Sequence, residues 1–289
     1  MTTDILQYEF KGDLPIGFEI FTIQDIYKIH KDIMVAPHRA EFYHILWIQK
    51  GTPIHSVDFT PIKLAPDTLL FINKGTVQSF DSKGNFEGKA IVFTDNFFCK
   101  TTEDIKTLKS NILFNDLFDS SAIQLKKGPN VFIDFFALME HESKKTLDTF
   151  QEGILRNLLQ GFLLLAERER RKNNFTEIVK GSDLYQFILF KDLLEKQFTK
   201  NKQVSFYAIK SSITEKKLNQ ITTKVLGKTP KQMIDDRIML EAKRLLAHTN
   251  ENIKEIGFAL GFEEPTNFIK YFKNHYKGTP VDFRESLIK

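Results

Sequence analysis

The sequence predicts an α+β chain: a strand-rich N-terminal half, a helical segment, and an all-α C-terminal part built from two helix-turn-helix units. Three observations predict it. Between Gly17 and Phe98, short runs rich in Phe, Ile, Val and Thr alternate with turn signals. From Thr101 onward the apolar spacing becomes helical. Near the C-terminus one helix–turn–helix phrase occurs twice, about fifty residues apart.

Composition leaves room for that plan. The 289 residues are 42% hydrophobic and 27% charged, an ordinary globular mixture with enough chain for two cores. The opening MTTDILQYEFKGD lacks a basic stretch followed by an apolar run, so no signal peptide is expected. The most apolar run, Ile154 to Ala166, is interrupted by Arg156, Asn157 and Gln160, which argues against a membrane span. A soluble, cytoplasmic protein with no membrane partner is the expectation. The single cysteine, Cys99, excludes an internal disulfide and a cysteine-rich zinc site, and no basic cluster flanks it to favour a nucleophile. Charge is uneven: residues 181–289 hold 19 Lys+Arg against 13 Asp+Glu, residues 1–180 hold 22 against 24. That asymmetry raises the question of a polyanion partner, although solvated lysines alone would also produce it.

The strand runs are GFEIFTI, FYHILWIQ, HSVDFT, TLLFIN and KAIVFT, punctuated by LAPD, NKGT and DSKGN. Many short strands at this spacing predict a sandwich or barrel. Helices are expected over 103–119 and 130–145, and a long one from Leu147 to Arg171. In the long helix Ile154, Leu155, Leu158, Leu159, Phe162, Leu163 and Ala166 form a broad apolar stripe, suited to internal packing or to a dimer face. The charged run Glu167 to Lys172 and the segment to Asp183 mark a boundary. The expected division is 1–100, 101–175 as a helical linker and dimerisation segment, and 184–289.

In the first C-terminal unit a helix over Val204–Ser211 leads through Ser212–Ile213 to Thr214, which caps a helix from Glu215 to Leu226 that ends at Gly227. In the second, Asn252 and Glu255 form a capping box, and the helix Ile253–Leu260 stops at Gly261. Phe262–Glu263 then turn, Glu264 is placed to cap, and Pro265 takes the first helical position, where its missing N–H costs nothing. Each unit closes on Gly-Lys-Thr-Pro or Lys-Gly-Thr-Pro, with Pro230 and Pro280 opening the next helix. Leu218 and Phe268 sit at equivalent places. Such a second helix can enter a DNA major groove, and the connector from Pro230 to His248, about 27–28 Å long at ~1.5 Å per residue, can hold two of them one groove turn apart.

Arg237 to Arg284, RIMLEAKRLLAHTNENIKEIGFALGFEEPTNFIKYFKNHYKGTPVDFR, resembles the AraC-type DNA-binding domain. The carrying features are an Ala, a Leu-Leu pair, an I-x-E-I helix, a G-F turn, an aromatic-x-x-x-F-K helix and a terminal G-x-x-P-x-x-F-R. The likeness extends more weakly to Leu184. Gly257, Ser212 and Thr222 depart from the pattern, standing where the family has Ala, a turn glycine and an aromatic. The resemblance implies a DNA-binding transcriptional regulator, with a double-stranded operator and RNA polymerase as partners, as for an activator. It implies base contacts from Lys216, Lys217, Asn219 and Gln220 in the first unit and from Pro265, Thr266, Asn267 and Lys270 in the second. Lys224, Lys228, Lys273 and Lys277 are expected beside phosphates. Leu218, Ile221, Phe258, Phe262, Phe268 and Phe272 are assigned to the core.

The strand-rich half, through Ala36–Gly51 and Val57–Phe80, resembles the cupin-like sensory barrel that often precedes such domains. The resemblance implies a small-molecule effector. His38, Arg39 and Trp47 are its candidate contacts, against the alternative that Trp47 is core and His38–Arg39 lie on the rim. A metal-dependent cupin enzyme fused to a DNA-binding module is the alternative from another class. It needs clustered His with a carboxylate. His38, His44 and His55 lack an H-x-H spacing, and Gln78 stands where a later His is common, so no metal, cofactor or catalytic residue is expected. A homodimer through the 147–166 stripe is expected.

Overall fold

The computed structural model describes residues 6–10, 16–114, 121–126, 128, 130–172 and 182–287. Contacts divide the chain into two compact units, which part near residue 177.

Among the described residues the first unit holds ten strands in two five-stranded sheets. One has the order β1 (Leu6–Tyr8), β3 (His38–Ala40), β8 (Val77–Ser79), β5 (Ile54–Val57), β6 (Thr60–Lys63). The other runs β10 (Ser121–Gln124), β7 (Thr68–Ile72), β4 (Tyr43–Gly51), β9 (Phe86–Phe93), β2 (Phe18–Thr22). The expected barrel is therefore two packed sheets rather than one closed wall. The first sheet's strands are three or four residues each, too short to carry pairing round to the second.

Alternation explains the layering. Along a strand successive side chains leave opposite faces. Ile45, Trp47, Leu69, Phe71, Ile91 and Phe93 leave one face of the second sheet and pack on α4 (Val131–Ser143) and α5 (Gln151–Lys172) through Phe136, Met139, Leu155, Leu159 and Phe162. From the other face Leu46, Ile48, Leu70 and Ile72 meet Val57, Ile62 and Phe80 of the first sheet. Both faces are covered, which is why β4 and β7 read as continuous apolar runs.

Three expectations change. A helix, α1 (Ile23–Val35), stands where strands alone were expected; its Ile23, Ile26, Tyr27 and Met34 join the inter-sheet core. The helix expected over 103–119 is α3 (Thr102–Ser110) followed by a 3₁₀ turn at Ile112–Phe114; residues 115–119 lie outside the described residues. Between β9 and α3 lies the single turn α2 (Asp95–Phe98). The stripe on α5 is mostly internal packing, with Ile154 left exposed; Leu164, outside the stripe, is exposed as well. The boundary expected after Lys172 falls largely outside the described residues.

Among the described residues the second unit is all helix: α6 (Ser182–Gln197), α7 (Val204–Lys210), α8 (Glu215–Leu226), α9 (Pro230–His248), α10 (Ile253–Ala259), α11 (Pro265–His275) and α12 (Pro280–Ser286). Thr214 accepts from the Lys217 N–H, and Gly227 ends α8 in the left-handed region at φ +70°. Capping boxes open α9 (Thr229 with Gln232), α10 (Asn252 with Glu255) and α12 (Thr279 with Asp282). Glu264 occupies the N-cap of α11 without a capping bond, so Pro265 alone supplies the start signal. Among the described residues no helix is long and apolar enough to cross a membrane.

Candidate functional site: the nucleic-acid interface and a buried polar cluster

Two helix-turn-helix units stand on either side of α9. α7 and α8 make the first, α10 and α11 the second, and each turn contains one left-handed residue, Ser212 at φ +54° and Gly261 at φ +73°. Leu218 and Phe268 are fully buried, as are Ile221 and Phe272. Helical spacing therefore turns the opposite face of each second helix to solvent. On α8 that face carries Lys216, Asn219, Gln220 and Thr223; on α11 it carries Thr266, Asn267 and Lys270. Pro265 is half-buried at the helix start. These are groups that hydrogen-bond to base edges and phosphates.

Lys217 is exposed too, but it lies on the flank toward α6. Its ammonium is 2.7 Å from Asp183, and Lys224, two turns along, reaches the same carboxylate at 3.4 Å. The two lysines hold that carboxyl below its usual range. Phe258, assigned to the core, is exposed instead: α10 buries Ile256 and Gly257, and Phe258 leaves the far side with Lys254 over its ring. Gly257 brings α10 close to α11; a Cβ there would lie 3.2 Å from that of Phe268.

The second helix-turn-helix is pinned to its surroundings. Asp235 of α9 accepts from Tyr271 of α11 at 2.6 Å and pairs with Lys231. Burial and that carboxylate push the Tyr271 hydroxyl well above its ordinary range. Arg237 of α9 grips Glu195 of α6 at 2.8 Å and lies over the Phe198 ring.

In the first unit of the chain, four polar side chains meet between the sheets: His38, His44, His55 and Gln78, all nearly inaccessible. His38 faces Gln78 across the β3–β8 pair. The His55 Nε2–H donates to Gln78 Oε1 at 3.1 Å, and Gln78 Nε2 donates to the His44 ring at 3.2 Å. A ring that accepts from an amide is neutral. Burial lowers all three imidazoles, His44 and His55 to about 3, with His38 adding to the effect on both. Phe42 and Phe80 lie against His44 and His55. The cluster is a neutral set of donors and acceptors walled by aromatics. Among the described residues no group of three His, Cys, Asp or Glu is arranged to hold a metal ion, and both ends of the Gln78 amide are already engaged with imidazoles.

Of the candidate effector contacts, only His38 belongs to this cluster. Arg39 follows it on the strand and so leaves the opposite face. Trp47 points to the helices, its ring centroid 5.1 Å from that of Phe136, which makes it core. In the sequence, His44 and His55 stand out only as candidate metal ligands, and Gln78 only as an argument against a metal. Their signal was strand alternation, which puts His44 on the Leu46–Ile48 face. Cys99 is half-buried, and burial with Asp95 and Asp104 pushes its thiol up to about 11, far from a thiolate.

Comparison with known proteins agrees with this division. Residues 26–159 match the AraC-like ligand-binding domain model, and residues 207–286 match a helix-turn-helix domain model. The transcription regulator YisR of Bacillus subtilis is 43% identical over 61 residues, 21% of either chain. The transcriptional activator RhaS of Klebsiella pneumoniae is 21% identical over 255 residues, 86% of this chain and 87% of its own. The probable transcription factor PqrA of Proteus vulgaris is 30% identical over 95 residues, 32% of this chain and 78% of its own. These relatives are regulators, and the N-terminal match is to a ligand-binding model, so the fused-enzyme alternative falls. With a ligand-binding domain of that type ahead of a paired helix-turn-helix DNA-binding domain, the chain belongs to the AraC family of transcriptional regulators.

Proposed function

We propose that the chain reads its operator through two helices at once, α8 with Lys216, Lys217, Asn219 and Gln220, and α11 with Pro265, Thr266, Asn267 and Lys270. The carrying observation is the burial of Leu218 and Phe268, which leaves Lys216, Asn219, Gln220, Thr266, Asn267 and Lys270 outward, with Lys217 and Pro265 at the margins of those faces. Lys224, Lys228, Lys273 and Lys277 contribute phosphate contacts that position without specifying sequence. Selecting bound duplexes from a random pool at fixed salt tests this reading. A two-part consensus is expected. Asn267→Ala should weaken binding to the selected operator while leaving scrambled DNA unchanged; equal wild-type affinity for both duplexes would overturn it.

Residues 184–289 are the proposed DNA-binding domain, and residues 1–100 with the helical segment 101–175 its sensory partner. The effector is proposed to bind at His38, His44, His55 and Gln78. Because that cluster is uncharged and rich in donors and acceptors, the fitting effector offers hydroxyl, carbonyl or amide groups rather than a carboxylate or phosphate. A thermal-shift screen comparing neutral polyols and amides with organic acids tests it: stabilisation by the acids alone would overturn it.

A homodimer in the cytoplasm is proposed through the outer face of α4 and α5, where Leu138, Ile154 and Leu164 are exposed. Sedimentation of Leu164→Glu should show monomer where the parent shows dimer. Activation through RNA polymerase is proposed from RhaS, named a transcriptional activator.

A further inference from the structure

The two helix-turn-helix units are joined by α9, but they also touch directly through one lysine. Lys202 lies in the corner between α6 and α7, which leads directly into the first unit. Its ammonium donates to the Leu260 carbonyl at 2.8 Å and the Gly261 carbonyl at 2.9 Å, at the end of α10 in the second unit. A third bond returns to the Thr199 carbonyl at 3.1 Å, and the Phe262 ring lies under the charge at 4.6 Å.

All three carbonyls are neutral acceptors, and two close α10, where a helix concentrates its partial negative charge. Only a compact cation with three donors satisfies them together. The corner is itself fixed: Tyr207, fully buried in α7, donates to the Asn201 carbonyl at 2.7 Å. Gly261 permits the approach, since a Cβ there would sit 1.7 Å from the Thr199 carbonyl oxygen. Burial lowers the Lys202 ammonium, with Lys231 adding to it, while the carbonyl acceptors favour the charged form.

We infer that Lys202 is a positioning residue that fixes the angle between the two reading helices and thereby sets the half-site spacing the protein accepts. The inference rests on the reading that α8 and α11 both contact DNA. Without this tie, α9 and its own contacts still connect the units, but the second can rock against the first. A rigid pair pays nothing further to engage both half-sites at the matched spacing and cannot follow a changed one; a rocking pair pays ordering entropy and tolerates change.

The test measures full-length wild type and Lys202→Met, which keeps the apolar stem over Phe262, on the selected operator, on each half-site alone, and on operators with one base pair added or removed between half-sites. Wild type should lose on the order of 10-fold or more with each spacing change, comparable to one mismatched base pair. Lys202→Met should bind the operator more weakly, bind each half-site as wild type does, and show spacing penalties within about 3-fold of none. Lys202→Arg should restore part of the discrimination. Electron–electron distance measurement between spin labels at Thr223→Cys and Asn274→Cys, with Cys99 replaced by Ser, should give one narrow distance in wild type and a broad one in Lys202→Met. If Lys202→Met does not melt cooperatively, Lys202→Gln takes its place with the same readouts.

Wild-type spacing discrimination and a narrow distance retained in the variant overturn the inference and leave the two-helix reading standing. So does an equal loss on single half-sites, which marks a role in folding alone. Wild-type binding that ignores one half-site altogether overturns both.

Discussion

Gly261 and Gly227 offer a matched pair for testing how the second unit is built. Both close helices in the left-handed region, at φ +73° and +70°. In an L-residue that conformation costs roughly 1–2 kcal/mol. A Cβ at Gly227 meets nothing within 4 Å, so Gly227→Ala carries only that cost. A Cβ at Gly261 falls 1.7 Å from the Thr199 carbonyl oxygen and 2.9 Å from its carbon, both backbone. The 199–202 corner must withdraw by more than an ångström, and the Lys202 bonds to Leu260 and Gly261 go with it. Hydrogen bonds from a charged donor contribute about 1.5–3 kcal/mol each net of water, so with the backbone cost Gly261→Ala should cost roughly 4–8 kcal/mol. Urea denaturation followed by helical circular dichroism reads the C-terminal transition for both variants. Losses equal within about 0.5 kcal/mol would refute the close-approach argument, leaving only backbone conformation.

Three further outcomes follow from named contacts. Asp183→Asn frees Lys217 and Lys224 from their shared carboxylate. If both then reach phosphates, the slope of log affinity against log salt steepens by up to about 1.8, close to 12-fold more loss between 50 and 200 mM; an unchanged slope refutes the restraint. His44 and His55 sit near 3 in the folded state against an ordinary 6.5, so the unfolded chain binds more protons below about pH 6.5. Their lowered values mean stability is present above pH 6.5 and lost as pH falls toward 3, by up to roughly 2–3 kcal/mol per pH unit for the pair. Trp47, the one tryptophan, reports that unit's unfolding by fluorescence, and a midpoint flat from pH 7 to 5 would contradict the burial of neutral imidazoles. Ser212→Gly removes the left-handed cost at φ +54° and should stabilise the C-terminal unit by about 1 kcal/mol, read by the same urea transition.

The C-terminal unit was legible because its signals are local. Thr214, Thr229, Asn252, Pro265, Thr279 and Gly227 act within a turn of where they stand, and chain order suffices to place them. The departure at Ser212 is marked only by the family resemblance, and its φ of +54° gives the reason glycine is easier there. Phe258 was misjudged because a seven-residue helix has too little periodicity to separate its buried side from its exposed one. In the N-terminal half, β2, β4, β5, β7 and β9 were legible as apolar or alternating runs, while β3, β6 and β8 at three or four residues carry almost no pattern. Helix α1 was missed although Ile23, Ile26 and Tyr27 have helical spacing, because strand-rich neighbours on both sides outweighed it.

The sites divide along the same line. Asn219, Gln220, Asn267 and Lys270 are implied by the resemblance, and helical spacing by itself adds that they share the face opposite Leu218 and Phe268. The buried cluster draws on four strands, β3, β4, β5 and β8, brought together only by the fold. Nothing near His38 tells that Gln78 lies opposite it, although alternation already turns Arg39 away. What sequence could supply was parity: on β4, His44 shares the face of Leu46 and Ile48, not that of Trp47. Parity also assigns the two halves of β4 different work. One face anchors the sheet to α4 and α5, the proposed dimer face; the other meets the proposed effector. An effector that shifts His44 therefore acts on the very strand against which those helices pack, with Trp47 and Phe136 as the nearest joint. Replacing Trp47 with Leu should weaken that joint. If effector affinity and dimerisation then still change together as in the parent, β4 is not the element that couples them.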